Sequence, residues 1–179
     1  MQSTMKIKLN DTLSLVPISS VFTNDLVRLL NDPDIYNNTF KIPFPYTEKH
    51  ARNWIKKTTE LETIQGITNN WALCSKEEGL IGGLGLHQTY GADSHKDEIG
   101  YWLGKPYWNK GIMTEALKIF CEYCFEHREL SRIEALVFSH NHASMRVLEK
   151  VGFEKEGYLK KCYIKQGRYV DSVLYALVL

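Results

Sequence analysis

Within residues 98–116, EIGYWLGKPYWNKGIMTEA, an apolar run leads into a short glycine-containing loop, and the loop opens directly onto an amphipathic helix. A helix start leaves about four backbone N–H groups without intrahelical partners and carries roughly half a positive charge, so an anion there gains hydrogen bonds and dipole stabilisation together. Gly111 has no Cβ and would let the backbone approach a bulky pyrophosphate. Lys110 adds a formal charge beside those amides, and Thr114 could cap the helix or turn its hydroxyl toward a phosphate oxygen. The segment reads as a cradle for a diphosphate. It matches neither G-x-x-x-x-G-K-[ST] nor G-x-G-x-x-G, so an ordinary strand-to-helix turn is the competing reading.

A second group lies in residues 132–157, RIEALVFSHNHASMRVLEKVGFEKEG. An apolar strand ends at polar residues, and Asn141-x-x-Ser144 then opens a helix with Asn141 at the N-cap and Ser144 in the first turn. Val147, Leu148 and Val151 form its core stripe, and Gly152 stands where a helix C-terminal glycine belongs. Cys121, Cys124 and His127 follow at three-residue steps that could hold a metal. They also fall on the helical pattern Ala116, Ile119, Phe120, Tyr123, Cys124, His127, where free cysteine behaves as a small buried hydrophobe. We expect core cysteines and no bound metal.

The elements that must position these residues follow from periodicity. A strand is expected at Leu13 to Pro17 and a helix at Thr23 to Asn31, ended by Asp32-Pro33. The loop Asn37 to Tyr46 carries Phe40, Phe44, Tyr46 and two prolines, and either caps the core or lines a substrate cleft. A second helix starts at Thr47, with Ala51, Trp54 and Ile55 at helical spacing. WALCS and LIGGLGLHQTY read as a hairpin about Lys76 to Gly79, and Gly82, Gly83 and Gly85 mark a strand that bends or is closely approached. After a polar loop at Tyr90 to Asp97 come a strand at Glu98 to Leu103, a helix at Thr114 to about His127, a strand at Ile133 to Phe138 and a helix at Ala143 to Lys150. Two strands, Tyr158 to Ile164 and Ser172 to Val178, close the chain around Gln166-Gly167. The order β α α β β β α β α β β implies an α/β (α+β) fold built on a mixed sheet.

The 179 residues suit a single domain spanning 1–179, and its first residues are expected to be flexible. Lys and Arg total 22 against 21 Asp and Glu, a net charge of +1. There is no global basic field of the kind nucleic-acid binders show, so attraction for an anion must be local. MQSTMKIKLNDTLSL lacks an apolar leader core and no stretch nears the ~20 apolar residues of a membrane span, so a cytoplasmic protein without membrane contact is expected. The four cysteines, Cys74, Cys121, Cys124 and Cys162, are too sparse for a disulfide scaffold.

Taken together, PYTEKHARNWI, the GYWL strand, the KGIMTEA helix start, the N-x-x-S helix and the G-F-x-x-E-G turn stand in the order shown by one branch of the GNAT superfamily. The chain resembles these acetyl-CoA-dependent N-acetyltransferases from about Leu13 onward, especially the RimJ/RimL ribosomal-protein acetyltransferases. The resemblance implies a mixed, mostly antiparallel central sheet with helices on both faces. It implies acetyl-CoA as cosubstrate, with the pyrophosphate on the backbone of Asn109, Lys110, Gly111, Ile112, Met113 and Thr114. Pantetheine would pair with the strand carrying Gly100, Tyr101, Trp102 and Leu103, and Asn141 and Ser144 would also reach the cofactor. Trp108 departs from the Q/R that begins the superfamily pattern, and Met113 from its second small residue, which removes a side-chain phosphate contact.

Transfer to an amine needs a neutral nucleophile, a stabilised oxyanion and protonation of the leaving thiolate; direct attack on the thioester then needs chiefly positioning and proton transfer. By resemblance Ser144 could protonate the sulfur. The tyrosine that many members use in the last helix is replaced by Leu148, and Lys160-Lys161-Cys162-Tyr163 offers no carboxylate where some relatives carry a glutamate base. Glu98 is the first candidate base, directly or through water. Among the histidines His87, His140 and His142, which titrate nearest neutrality as a class, His140 stands beside Asn141 and is the best placed. The expected acceptor is a protein or peptide N-terminal amine, such as that of a ribosomal protein. A small-molecule amine (aminoglycoside, polyamine or amino-acid-like toxin) is the close alternative, and a non-catalytic CoA-binding module is a third. No specific nucleic-acid partner is expected, although Lys160, Lys161, Lys165 and Arg168 could contact RNA weakly. A homodimer through a sheet edge or the terminal hairpin is compatible with the sequence.

Overall fold

The computed structural model describes residues 5–91 and 93–179. Its contacts gather into two compact units, residues 5–85 with 101–110 and residues 86–100 with 111–179.

In the first unit an antiparallel ladder runs through β1 (Ile7–Lys8), β2 (Leu13–Pro17), β3 (Asn70–Ser75) and β4 (Gly79–Leu86). Three helices accompany it: α1 (Thr23–Leu30), α2 (Pro33–Asn38) and α3 (Glu48–Gln65). Leu15, Leu26, Trp71, Leu73, Leu80 and Ile81 are the largest of its fully buried side chains. Thr47 caps α3 as expected. Its hydroxyl accepts from the His50 N–H at 3.4 Å while His50 Nδ1 receives the Thr47 N–H at 3.2 Å, a capping box closed by a histidine. The tight strand expected at Gly82, Gly83 and Gly85 is present, since Cβ atoms there would meet Trp102 O at 2.8 Å, Trp102 Nε1 at 2.7 Å and Asn69 O at 2.4 Å. The aromatic loop divides, with Tyr46 buried and Phe40 and Phe44 exposed.

The Asp32-Pro33 segment and β1 are among the elements that differ from expectation. Asp32-Pro33 does not merely stop a helix; it starts α2, because the Asp32 carboxylate accepts from Asp34 N at 2.7 Å and Ile35 N at 3.3 Å, and Pro33 has its φ preset for a first helical turn. The short β1 has two residues and no readable alternation.

The second unit is built on the first half of β5 (Lys96–Leu103), whose later residues belong to the first unit. β5 pairs in parallel with β6 (Arg132–Phe138), with Glu98 opposite Glu134. β6 pairs antiparallel with β8 (Arg168–Val178), and β8 with β7 (Glu154–Lys165). Helix α4 (Ile112–His127) packs along α5 (His142–Val151). Phe120, Leu117, Ile133, Leu148 and Tyr175 fill this core, and the Tyr175 hydroxyl reaches Glu149 at 2.8 Å. The pairings described above are antiparallel apart from β5–β6, which gives the mixed, mostly antiparallel α/β architecture expected.

The core reading of the cysteines holds. Cys121 and Cys124 are buried, and burial pushes both thiols up, that of Cys124 to about 12. His127 stacks on Tyr123 with ring centroids 4.7 Å apart. No helix among the described residues is long and apolar enough to cross a membrane.

Candidate active site

Gly111 is the N-cap of α4 and sits at φ +75°, the left-handed region that costs an L side chain roughly 1–2 kcal/mol. This conformation lets the chain turn from the loop into the helix, and no side chain caps the turn. A Cβ on Gly111 would meet open space, and Ile112, Met113 and Thr114 supply the amides of the first turn. Such an end fits an anionic group held by backbone donors. Thr114 does not cap the helix, as the sequence suggested it could, because the helix starts two residues earlier and Thr114 occupies its third position. Asn109 precedes at φ +59°, so left-handed residues lie on either side of Lys110. Lys110 is exposed, with its ammonium 5.8 Å from the Tyr107 ring centroid. Trp108, which replaces the superfamily's Q/R, donates its indole N–H to Leu103 O at 2.6 Å and so ties the loop to the end of β5.

At the start of α5 the Asn141 side chain accepts the Ser144 N–H at 3.1 Å, which is the N-cap read from the sequence. Ser144 is half-buried in the first turn, where the helix dipole favours negative charge. Gly152 closes the helix at φ +109°, and Leu148 is buried, so no hydroxyl occupies the superfamily's tyrosine position. His140 is exposed in the turn between β6 and α5, its ring 5.6 Å from Phe138.

The imidazole that meets Glu98 belongs to His87. The strand reading through LIGGLGLHQTY stops at Leu86, and Gln88 takes φ +51°, so His87 turns back onto β5. His87 N–H donates to Glu98 O at 2.9 Å, and His87 Nδ1 lies 3.3 Å from Glu98 Oε1. The ring can lie there because Gly100 has no side chain; a Cβ on Gly100 would stand 2.4 Å from His87 Nε2. The Glu98 side chain is 17% exposed and that of His87 31%. Thr89 Oγ1 reaches the second Glu98 oxygen at 3.5 Å. The signal that could have found this pair is the polar stop after an apolar strand, HQT, facing a strand that carries a glutamate and a glycine two apart. Tyr163 on β7 lies edge-on to Phe138 with centroids 5.6 Å apart, and its hydroxyl is pushed up to about 12 by burial and then by the charge of Glu98.

Opposite Glu98 on the neighbouring strand, Glu134 of β6 gathers the Tyr90 hydroxyl, Lys96 Nζ at 3.3 Å and Arg132 Nε at 2.7 Å, and Arg132 also grips Glu156. Burial alone would push the Glu134 carboxyl up, but these donors together hold it below the usual carboxylate range. Tyr101, Trp102 and Leu103 continue β5 within the first unit, with Asn109 and Lys110; Glu98, Gly100, Gly111, Ile112, Met113, Thr114, His140, Asn141 and Ser144 belong to the second.

The mixed, mostly antiparallel sheet with its helices is of the kind found in GNAT acetyltransferases. Residues 12–154 match the acetyltransferase (GNAT) domain, so the chain belongs to that family and is an N-acetyltransferase. It is 30% identical over 154 residues to the uncharacterized N-acetyltransferase p20 of Bacillus licheniformis, covering 86% of this chain and 85% of that protein. It is 35% identical over 101 residues to the [ribosomal protein uS5]-alanine N-acetyltransferase of Escherichia coli strain K12, covering 56% of this chain and 52% of that protein. Its fold matches that of RimL, a ribosomal L7/L12 alpha-N-protein acetyltransferase in complex with coenzyme A, with a TM-score of 0.87 over 98% of each chain and 19% identity. The RimJ/RimL resemblance is thereby confirmed.

Proposed function

We propose that this protein is a single-domain, cytoplasmic, acetyl-CoA-dependent enzyme that acetylates the N-terminal amine of a protein or peptide, a ribosomal protein being the type of acceptor. Support for the acceptor comes from its relatives, one of which acts on ribosomal protein uS5. The family match also runs unbroken through segments of both compact units, which supports one domain.

Acetyl-CoA supplies an acyl group already activated as a thioester and open to direct attack by an amine. The observation that carries the mechanism is the Glu98–His87 contact. With Glu98 accepting from Nδ1–H, the imidazole keeps its lone pair on Nε2, the tautomer a general base requires. His87 then removes the amine proton, and Glu98 orients the ring and stabilises the imidazolium, so the carboxylate acts through the histidine. The α4 N-terminus, with Asn109 and Lys110 before it, would hold the pyrophosphate. Asn141 fixes the first turn of α5, and the Ser144 hydroxyl there would give the sulfur its proton.

The test is thiol release with N-terminal peptides of uS5 and of L7/L12 against spermidine and an aminoglycoside. The reading requires a higher kcat/KM for a peptide. Preference for a small amine would reassign the acceptor, and no release with any amine would leave a CoA-binding module.

A further inference from the structure

Two carboxylates are almost fully buried in the second unit, Asp97 and Glu134, each 6% exposed. Glu134 is matched by side-chain cations, whereas Asp97 is met by backbone. Its Oδ2 accepts from Gln88 N at 3.1 Å, and its Oδ1 from Thr89 N at 3.1 Å and Glu98 N at 2.7 Å. Burying a charge is costly unless hydrogen bonds compensate it, and three amides aimed at one carboxylate do so only while the backbone bearing them keeps its shape. Those amides belong to the two residues that follow His87 and to Glu98 itself. The same turn holds Gln88 at φ +51°, a conformation that needs outside support in a residue other than glycine.

We infer that Asp97 is the positioning residue of the base, clamping the turn after His87 to the backbone of Glu98 so that the imidazole rests on Gly100 with Nδ1 toward Glu98. The inference rests on the reading of His87 and Glu98 as the base. Asp97 itself touches neither reactant. Its contribution is to remove the freedom of a strand end that would otherwise let the ring swing out to solvent. The charged and titratable groups around the pair include Asp97 on β5, Glu134 opposite Glu98 on β6, Tyr163 on β7 and Tyr90 in the loop between β4 and β5, the two tyrosines within reach of the Glu98 charge.

The experiment compares Asp97→Asn and Gln88→Gly with Glu98→Gln and His87→Gln, reading kcat and KM separately, and the NMR contact between the His87 ring and Gly100 Hα. Asp97→Asn keeps one acceptor oxygen but turns an N–H donor against a backbone N–H, and misplacement of a catalytic group by about 1 Å costs on the order of 100-fold in rate. We expect kcat to fall about 10- to 100-fold with KM for acetyl-CoA held within about twofold, and the ring contact to be lost. Gln88→Gly adopts the native φ without strain and leaves Asp97 in place, so it folds even where Asp97→Asn does not. Because the backbone clamp on Asp97 stays in place, it should keep the ring contact and a kcat close to that of the wild type. If Glu98→Gln and His87→Gln lose activity while Asp97→Asn keeps both kcat and the ring contact, or, where that does not fold, Gln88→Gly loses the ring contact although Asp97 is in place, the base stands and the positioning role falls. If Glu98→Gln and His87→Gln keep full activity, the base reading itself fails and Asp97 is structural only.

Discussion

In the proposed mechanism the start of α4 and the turn from His87 to Glu98 act with different parts of the chain. At α4 the donors would be backbone amides, the shape comes from a left-handed glycine, and the Met113 side chain serves as an anchor to the core. At the turn the functional atoms are all in side chains, and their arrangement depends on a glycine that makes room, a buried aspartate and a strand that ends one residue before the histidine. A backbone site can tolerate exchange of its side chains and fails when its φ or its open end is lost. A side-chain site fails one atom at a time.

The largest expected effect follows from that difference. Gly111→Glu places a side chain and a negative charge into the open space at the helix end and also strains the backbone. Affinity for acetyl-CoA should fall by at least about 100-fold, the loss from removing several charge-assisted hydrogen bonds. Gly111→Ala keeps the strain without the charge and should cost only about 1–2 kcal/mol of stability, leaving most binding intact. Calorimetry on both folded variants reads the split; equal affinity of Gly111→Glu and wild type would remove the anion site.

Glu98→Gln and His87→Gln should sharpen the contrast by doing the reverse. Each should lower kcat by about 10²–10⁴-fold, the usual contribution of a general base, with acetyl-CoA affinity nearly unchanged. A parallel loss of affinity would mean that the turn belongs to the cofactor site. Ser144→Ala should reduce turnover more than binding if its hydroxyl protonates the thiolate, and steady-state kinetics that match wild type would return Ser144 to a purely helical role. Asn141→Ala should cost about 1 kcal/mol of stability through the lost cap, read as a lower Tm.

The smallest effect concerns the carboxylate network around Glu134. Glu134 is held below its ordinary value of 4.5, so its contribution to stability is fully present above that pH and is lost as pH falls through the depressed native value. Thermal melts of the wild type should therefore fall more steeply below about pH 4.5 than those of Glu134→Gln; parallel curves would show that the donors around Glu134 do not favour its charged form.

The two regions were also unequally legible in the sequence. The α4 start is local: strand, glycine and amphipathic helix follow one another within 20 residues, and only the cap was misplaced, because Gly111 rather than Thr114 ends the loop. The same holds for Asn141, which caps α5 three residues before the amide it binds. The His87–Glu98 pair joins residues eleven apart across a turn whose geometry depends on Asp97, a residue that read as loop and is in fact buried in β5. Apolar period marks the strand up to Leu86 but cannot show that the next residue folds back, since that depends on a tertiary carboxylate. α2 was missed for a related reason, Asp32-Pro33 being able to end one helix and begin the next.

The most direct test of the central claim is calorimetric titration of the purified protein with acetyl-CoA and with pantetheine, which lacks the pyrophosphate. Micromolar binding of acetyl-CoA that is lost with pantetheine is the expected result. Equal binding of both, or none by a folded protein, would contradict the site at residues 109–114.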